Sequence, residues 1–543
     1  MKSPTLRQSA APAWLLIALV AACAEIPTDL EGLNEVPPVL APPTGAAFTG
    51  ELRLGVVPSA VAIDVGSAEA FEVRDGVTGA TVMTGTNETV TVTYVDQSFP
   101  GKTSFRLLTK QCVSVEDRDA YVALAALKHE QDPTRGFVTY AEDKVECWNV
   151  YLGDKGLSTS SSTRNQFRTM ATQQGLAKLS DQWFRVTTIT ITKGFKIVKG
   201  SSSVTTPNFV KVHPVGGRTK VADQEVDGQV EVFRNTTGTL TAVNAVPLEQ
   251  YLRRVLPLTL PPDLYGSVEA QKAQAVAERT RALYNVGRHA AEGFDFYPNE
   301  YQPYGGAEVE NEISTAAIDA TAGLVAKYEG QLIDTPYHPS SGGWTANSED
   351  VFAPVVPYLR GISESNLPWG IEKKLTLEVF ARSGATDLRA VDQKARGAWS
   401  KFNLWQVDWT NQEMAAALTS SFGVTVTSVT DIRVVERGAY GRVRRVEFDT
   451  DAGTLVAEKN DIRAKLPWLT LEGAWEPLSS TLIFVVPVVD DSEQISGWRV
   501  YGAGLGHGVG MSQIGAVMRS DQGTDFATIL STYYTGIVVE PWN

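Results

Sequence analysis

The sequence predicts an α+β protein that is rich in strands and contains a few helices. Between residues 48 and 110, short runs of alternating apolar residues are separated by turn signals, which is typical of a small β unit. Residues 111–186 mix helix-like with strand-like stretches, and strand patterns resume at about residue 187. Helical patterns then stand out near residues 267–287 and 524–534. Strands and helices that are segregated in this way favour the α+β class.

Composition narrows the class of protein. The chain has 543 residues, 43% of them hydrophobic and 20% charged, which is typical of a globular protein and not of a disordered tail or a membrane bundle. The formal net charge of −14 argues against wholesale binding to nucleic acid. Three cysteines are too few for a disulfide-dense scaffold, and no Cys-x-x-Cys pair indicates structural zinc.

The first 22 residues predict a lipoprotein signal peptide. Two basic residues precede the apolar run Trp14–Ala22, which is far shorter than the ~20 residues that a membrane-spanning helix needs. The run ends in Val20-Ala-Ala-Cys23, which resembles a bacterial lipobox, so we expect lipid on Cys23. An ordinary secretory signal is the alternative. Residues 23–47 are rich in proline and predict a tether.

The two remaining cysteines lie within a separate α/β module, which is predicted over residues 111–186. In an oxidising compartment Cys112 and Cys147 would be able to pair, and a disulfide across their loop would stabilise the fold by about 3–4 kcal/mol. Two buried free thiols are the alternative. The run Cys147-Trp-Asn-Val-Tyr-Leu-Gly, followed by a Ser/Thr-rich turn and a helix, resembles a SPOR repeat, a module that binds peptidoglycan; a generic α+β insert is the other hypothesis.

A helix is predicted over residues 267–287. Ser267 is suited to the N-cap, and Glu269 lies in the first turn, where a negative charge suits the helix dipole. The centre is rich in alanine, which lets a neighbour approach closely, and the buried side is predicted to hold Val268, Val276 and Leu283. Arg279 either serves a ligand or holds a neighbouring strand.

Two glycine-containing segments carry histidines. Gly504–Ala516 alternates glycine with other residues around His507, and glycine permits close backbone approach or positive φ. It lacks the Gly-Lys-Ser/Thr ending of a phosphate loop. The other segment, Asp334–Thr345, contains His338, two serines and a double glycine, but no Gly-x-Ser-x-Gly elbow of a hydrolase. The two histidines are predicted to line one cleft. After them, the final helix at 524–534 has an apolar stripe of core type.

Three segments together resemble the SpoIID/LytB family of bacterial cell-wall proteins. Val246-Pro-Leu-Glu-Gln-Tyr-Leu with Ala270-Gln-Lys-Ala-Gln-Ala-Val-Ala-Glu-Arg-Thr is similar to the family's first signature. Tyr337-His-Pro-Ser-Ser-Gly-Gly-Trp-Thr is similar to its Tyr-His-x-x-x-Gly-Gly-x-Thr element, and Gly506-His-Gly-Val-Gly-Met-Ser-Gln-Ile-Gly-Ala to its last motif. The resemblance covers residues 187–543, with 48–110 as leading strands.

The resemblance implies a β-rich domain with a few helices around a cleft that binds glycan strands of peptidoglycan. Family members are described as lytic transglycosylases for peptide-free strands or as enhancers of a wall amidase. The chemistry needs one carboxylic acid with a raised pKa, which protonates the leaving oxygen and then deprotonates the sugar's own C6 hydroxyl. The residues that the resemblance places in the cleft are Arg279, Gln302, Tyr304, His338, Ser340, Gly342, Gly343, His507, Ser512 and Gln513.

The sequence departs from the family at the acid. In the family this glutamate follows a Tyr-Leu-x-x-Val strand, and the aligned position here is Thr259, whose hydroxyl is no general acid near neutral pH. Asp263, four residues on, is a weak substitute. Some members hold zinc through the middle loop and cysteines, but no cysteine is near His338, so we expect no metal and no cofactor.

Two hypotheses follow. The first is a cell-envelope lipoprotein, facing the periplasm or the exterior, that binds glycan strands and acts with little or no catalysis as a scaffold or amidase enhancer. Its partners would be glycan strands, a cell-wall amidase and, through the lipid, a membrane, but not nucleic acid. The second hypothesis is an active lytic transglycosylase with a displaced acid.

Overall fold

The computed structural model describes residues 50–143, 147–352, 354–364, 386–388, 403–470 and 473–542. The predicted signal peptide, the lipidation site at Cys23 and the tether lie outside these residues. The described chain forms two compact units. The first holds the residues up to Val92, Lys199–Ser201 and those from Phe209 onward, and the second holds Thr93–Val198 and Ser202–Asn208.

Strands form the larger part of the regular structure, as the predicted class requires. In chain order they are β1 (Glu51–Ala60), β2 (Ala62–Asp75), β3 (Thr81–Val113), β4 (Thr139–Asp143), β5 (Trp148–Gly156), β6 (Gln182–Lys199), β7 (Ser202–Thr206), β8 (Val210–Pro214), β9 (Thr219–Val221), β10 (Gln224–Val226), β11 (Gln229–Arg234), β12 (Leu240–Pro247), β13 (Leu324–Tyr328), β14 (Gln331–Leu332), β15 (Tyr337–His338), β16 (Thr386–Asp387), β17 (Leu404–Thr410), β18 (Val429–Arg437), β19 (Val443–Thr450), β20 (Gly453–Glu458), β21 (Trp468–Leu469), β22 (Trp475–Glu476), β23 (Ile483–Val489), β24 (Ile495–Ala503), β25 (Met511–Ser512) and β26 (Val538–Pro541).

The helices are fewer and mostly short. In chain order they are α1 (Val115–Gln131), α2 (Ser161–Gln173), α3 (Leu248–Thr259), α4 (Pro262–Tyr265), α5 (Val268–Tyr284), α6 (Glu312–Ala320), α7 (Ser348–Val351), α8 (Asn411–Phe422), α9 (Ile462–Lys465), α10 (Gln513–Asp521) and α11 (Phe526–Tyr533). None of these helices, which are those of the described ranges, is long and apolar enough to cross a membrane. The mixture confirms the α+β class in its coarse form.

The leading strands of the first unit pair with strands that follow much later in the chain. Their antiparallel order is β1-β12-β11-β8-β2. In β12, Leu240–Val246 is buried without a break, which is the pattern of a strand covered on both faces. The sheet therefore leads directly into α3, which begins at Leu248.

Helix α5 lies at the centre of the first unit. It packs against α3, α6, α10, α11 and β13, and its small side chains Ala270, Ala273 and Ala277 have no exposed surface. Alanine at the contact positions permits the close approach that the sequence predicted. One predicted core position is wrong: Val268 is 56% exposed, because it is the first residue of the helix and lies outside the packed turns.

Residues 248–259 form a helix and not the strand that the family pattern led us to expect. Four apolar residues, Tyr251, Leu252, Val255 and Leu256, recur at helical spacing, and each of them is buried. The helix includes Pro257 in its last turn and ends at Thr259. This correction matters for function, because a helix turns Thr259 towards α5.

A second core of the first unit gathers described residues between Leu388 and Val500, including four buried tryptophans, Trp405, Trp409, Trp468 and Trp498. Trp405 and Trp409 on β17 and Trp498 on β24 are almost fully buried among β18, β19 and α8. Helix α8 starts with a capping box, in which the Thr410 hydroxyl accepts from the Glu413 amide and the Glu413 carboxylate accepts from the Thr410 amide. The second core is thus an ordinary α+β assembly within the same unit.

The second unit has its own small core. Phe137 and Phe167 meet edge to face, with ring centroids 5.7 Å apart, and Leu152 and Ala171 complete the centre. Cys112 and Cys147 form a disulfide bond, so of the two alternatives for these cysteines the structure has the paired one. Strand β5 pairs with β4 and β3. The likeness to a SPOR repeat stays a prediction.

Candidate functional site

The two histidine-containing segments lie side by side. β15 and β25 pair in parallel, with Tyr337 opposite Met511 and His338 opposite Ser512. Single bridges join Ser340 to Leu505 and Ala346 to Val509. The ladder hydrogen bonds therefore bring the middle motif and the C-terminal motif of the sequence into one layer.

His338 and His507 are neighbours in that layer, with ring centroids 5.5 Å apart. Nδ1 of His338 donates to the Val509 carbonyl at 3.2 Å, and burial lowers the pKa of His338 to about 3. His507 Nδ1 accepts from the Val509 amide at 3.1 Å, and burial holds its pKa well below the usual value. Both rings are therefore neutral near pH 7, so neither is a proton donor of the imidazolium kind.

Glycines make this close packing possible at two positions. A Cβ on Gly342 would lie 2.5 Å from the Ala503 carbonyl carbon, and one on Gly508 would lie 2.1 Å from the Arg442 guanidinium. The Arg442 side chain is fully buried, donates to the Ser341 carbonyl at 3.3 Å and has a pKa lowered to about 9 by burial. Gly343 completes the turn with φ of +102°.

Two predicted polar residues of this region have structural partners. The Ser340 hydroxyl accepts from the Gly342 amide, at 3.4 Å. Ser512 is the N-cap of α10 and accepts from the Gly515 amide at 3.1 Å. Both serines are buried, so their hydroxyls order the two loops.

Gln513 ties the C-terminal motif to the first motif. Its Nε2 donates to the Thr259 carbonyl at 2.8 Å, and both residues are buried. Thr259, Gln513 and His338 come from three segments that are more than 70 residues apart in sequence. The fold thus brings parts of all three motifs together around the end of α3.

Glu278 faces Thr259 from helix α5. The Thr259 hydroxyl donates to Glu278 Oε1, which also accepts from Gln274 Nε2 at 3.0 Å. The Glu278 side chain has no exposed surface, and its Oε2 has no hydrogen-bond partner in the described part of the chain. Burial raises the pKa of Glu278 to about 8, against the lowering effects of Thr259, Gln274 and Arg279.

The sequence analysis did not select Glu278. It stands at the variable position of the Ala-x-Arg-Thr signature, and a glutamate in the apolar centre of an alanine-rich helix is unusual, because charged residues are rarely fully buried without a partner. A glutamate at such a position is the sequence signal that would have identified Glu278. Only the fold shows that this carboxyl lies against the residue at the family's acid position.

Gln302 and Tyr304 both contact Tyr251, and Gln302 also reaches the main chain at Glu278. Gln302 Nε2 donates to the Glu278 carbonyl at 3.4 Å and to the Tyr251 hydroxyl at 3.3 Å, and its Oε1 accepts from the Tyr337 hydroxyl at 3.2 Å. Tyr304 stacks on Tyr251 with ring centroids 5.4 Å apart. Of these four side chains, those of Tyr304 and Tyr337 are partly exposed and the other two are buried.

A cavity of about 310 Å³ opens beside Tyr304. Its wall is formed by Val56, Arg218, Asp223, Gln224, Glu225, Val226, Pro298, Tyr304, Gly305, Gly306 and Glu308. Charged groups and a tyrosine ring line the same space, which is the mixture that suits a polar ligand with apolar faces. Tyr304 thus borders this cavity and stacks on Tyr251 of α3.

Arg279 has a structural position. Its guanidinium is fully buried and forms a bidentate ion pair with Glu249, at 2.7 and 2.8 Å. It also donates to the main-chain carbonyls of Leu324 and Ile318. It therefore holds α5 against α3, α6 and β13. Asp263, the weak substitute acid, is exposed on the short helix α4.

Metal-binding geometry is a separate question. Among the described residues, no three His, Cys, Asp or Glu side chains converge in a way that would hold a metal ion. His338 and His507 are the nitrogen-bearing side chains of this layer. The Nδ1 atom of each is already hydrogen-bonded to the main chain of Val509. The expectation that the chain has no metal stays a prediction.

Comparison with known protein families matches two parts of the chain. Residues 236–328 match the family described as stage II sporulation protein, SpoIID. Residues 346–510 match a family described as a domain of unknown function, DUF8618. The first match contains α3, α5 and Glu278, and the second ends inside the His507 loop.

Curated proteins similar to the chain come from three bacteria. An uncharacterized protein of Brachyspira hyodysenteriae is 31% identical over 310 residues, which are 56% of this chain and 70% of that protein. The amidase enhancer of Bacillus subtilis is 27% identical over 298 residues, 52% of this chain and 39% of its own length. The stage II sporulation protein D of Bacillus amyloliquefaciens is 24% identical over 365 residues, 63% and 88% of the two chains.

Proposed function

Because the chain belongs to the SpoIID/LytB family, we propose that it binds glycan strands of peptidoglycan and takes part in remodelling the bacterial cell wall. The observation that supports the proposal best is the convergence of three family motifs around the end of α3, where Gln513 bonds Thr259 and His338 lies opposite Ser512. Motifs that are far apart in sequence meet there in one small volume.

The cavity beside Tyr304 is the proposed entry for the sugar. Sugars offer apolar C–H faces and a rim of hydroxyls, and a partly exposed tyrosine ring with neighbouring charged groups complements both. Recognition would rest on stacking and hydrogen bonds.

The site has two possible uses, which are those of the two hypotheses. A chain that holds glycan without cutting it would act as a scaffold or as an enhancer of an amidase, and the threonine at position 259 favours this. One relative carries the name amidase enhancer, but the chain spans only 39% of it, so an amidase partner is part of the proposal. The buried carboxyl of Glu278 beside Thr259 favours the second use, lytic cleavage.

The place of action belongs to the same proposal. The lipobox-like residues before Cys23 would attach the protein to a membrane of the cell envelope, facing the periplasm or the exterior. A lipid anchor and a proline-rich tether would keep the folded units within reach of the wall.

Co-sedimentation with peptide-free glycan strands tests the binding proposal. The full chain is expected to sediment with the strands, and Tyr304→Ala is expected to weaken binding roughly fivefold, equivalent to about 1 kcal/mol of lost stacking. Tyr297→Ala is the matched control, because Tyr297 is also a partly exposed tyrosine of this segment but does not line the cavity. A full chain that stays in the supernatant would refute the proposed function.

A further inference from the structure

We propose that Glu278 is the general acid of this chain and cleaves the glycan strand from a position on α5, in place of a carboxyl at position 259. The inference rests on the proposed function, since it needs the strand to bind at the converging motifs. It replaces Asp263, the weak substitute acid of the sequence analysis, which is exposed on α4. The proposed acid is a residue that the family signature leaves variable.

Position is the first argument. Glu278 Oε1 accepts from the Thr259 hydroxyl, so the two side chains touch across the α3–α5 contact. A carboxyl on one side of that contact occupies nearly the same place as a carboxyl on the other side would. The threonine at 259 and the glutamate at 278 therefore form a complementary pair, in which the acid has changed helices.

The unused oxygen is the second argument. Both donors that reach the carboxyl, Thr259 and Gln274, end on Oε1, while Oε2 has no partner in the described ranges. A neutral carboxylic acid with this arrangement carries its proton on Oε2. A buried O–H without an acceptor destabilises the protein unless a ligand oxygen accepts from it. The oxygen of a glycosidic bond is such an acceptor.

Protonation is the third argument. Burial raises the pKa of Glu278 to about 8, so the carboxyl is mostly neutral at pH 7 and able to donate. Arg279 on the same helix is the opposing charge, but its guanidinium is bonded to Glu249. Tyr251 on α3 and Tyr337 on β15 are the other titratable groups that face the carboxyl, and burial raises both of their pKa values, so they stay neutral.

The proposed step needs no water and no cofactor. Glu278 gives its Oε2 proton to the leaving oxygen as the C1–O4 glycosidic bond breaks. The C6 hydroxyl oxygen of the same sugar bonds to C1, and its proton passes to the Glu278 carboxylate. The strand is then cut into two ends, one with a 1,6-anhydro ring, and Glu278 is protonated again.

Access requires one local movement. Glu278 has no exposed surface, whereas Tyr337, which faces its carboxyl, is partly exposed. The hydroxyl of Tyr337 is bonded to Gln302 at 3.2 Å, and Gln302 in turn bonds the Glu278 carbonyl. We assign Tyr337 as the side chain that the sugar displaces on its way to Oε2.

Product analysis on peptide-free glycan strands tests the inference. The full chain is expected to release 1,6-anhydro ends, and E278Q is expected to bind the strands normally while the rate falls by about 10²-fold or more. The wild-type rate should fall as the pH rises through about 8, because the acid loses its proton. E269Q is the matched control on the same helix, where Glu269 bonds Lys272 and the Phe526 amide, and its rate should be unchanged.

A double variant tests the exchange of helices. T259E/E278A returns the acid to the family position and leaves room for it, so cleavage should return relative to E278A alone. Strands that bind but are never cut by the wild type would overturn the inference and leave the binding proposal intact. An undiminished cleavage rate in E278Q would also overturn the inference, and so would a cleavage rate that D263N abolishes and E278Q does not. Failure of the wild type to bind the strands would refute both proposals.

Discussion

At the scale of the residue, the buried carboxyl of Glu278 makes the stability of the fold depend on pH. Its pKa is about 8 in the folded protein and near 4.5 when exposed in the unfolded chain. The folded state therefore binds the proton more tightly, and this contribution to stability is complete below about pH 4.5 and is lost as the pH rises through about 8. A glutamate at this position is a stability cost at neutral pH, which a purely structural role would not explain.

E278Q should therefore be more stable than the wild type at high pH. The amide keeps the shape and never ionises, so the difference in the free energy of unfolding should grow from pH 5 to pH 8.5 by at least about 1.4 kcal/mol, the equivalent of one pKa unit. Urea unfolding at several pH values measures it, and the pH 5 value is the internal control. A difference that does not depend on pH would contradict the raised pKa.

At the scale of the element, the glycine-containing loops decide how close the motifs come. Gly510 has φ of +72°, and a Cβ there would lie 2.0 Å from the Pro336 carbonyl oxygen, which belongs to the segment that leads into β15. This backbone approach allows the parallel pairing of β15 with β25. The glycines thus act through close contact between the two strands, and any side chain would separate them.

Gly510→Ala should destabilise the protein much more than Gly523→Ala. Gly523 has a similar φ of +85°, but a Cβ there would meet nothing within 4 Å, so only the backbone strain of about 1–2 kcal/mol applies. Gly510→Ala adds a clash with fixed backbone and should cost about 1–3 kcal/mol more. Chemical denaturation of both variants measures the difference, and equal losses would show that the approach is unimportant.

At the scale of the whole molecule, the chain consists of two units with separate cores. The second unit is small and holds the Cys112–Cys147 disulfide, which closes a loop across a sequence separation of 35 residues. Closing such a loop restricts the unfolded chain and contributes about 3–4 kcal/mol on the entropy model. The first unit, with its much larger core, contains no described cysteine.

Reduction should therefore destabilise one unit selectively. Reductant should lower the unfolding transition of the second unit by an amount equivalent to about 3–4 kcal/mol and leave that of the first unit in place. Calorimetry with and without reductant measures the two transitions. The double variant C112S/C147S is the control, which reductant should not affect further. A single transition that does not respond to reductant would contradict the assignment.

Local patterns in the sequence determined much of this protein. The apolar periodicity of 267–287 and 524–534 placed α5 and α11 within a few residues, because amphipathic spacing is a property of neighbouring residues. The motifs around His338 and His507 identified the family for the same reason. At 248–259 the strand taken from the family pattern was wrong, whereas the helical spacing of Tyr251, Leu252, Val255 and Leu256 agrees with the structure.

Only the tertiary structure shows which distant residues meet at the candidate site. Residues 259 and 278 belong to different helices, and only the packing of α3 on α5 places the carboxyl of one against the hydroxyl of the other. Burial raises the pKa of Glu278 and lowers that of His338, and burial is a property of the whole fold. The sequence by itself determined the family and predicted Thr259 at the position of the family's acid, whereas only the fold brought the Glu278 carboxyl against it, because contacts between distant segments do not follow from local spacing.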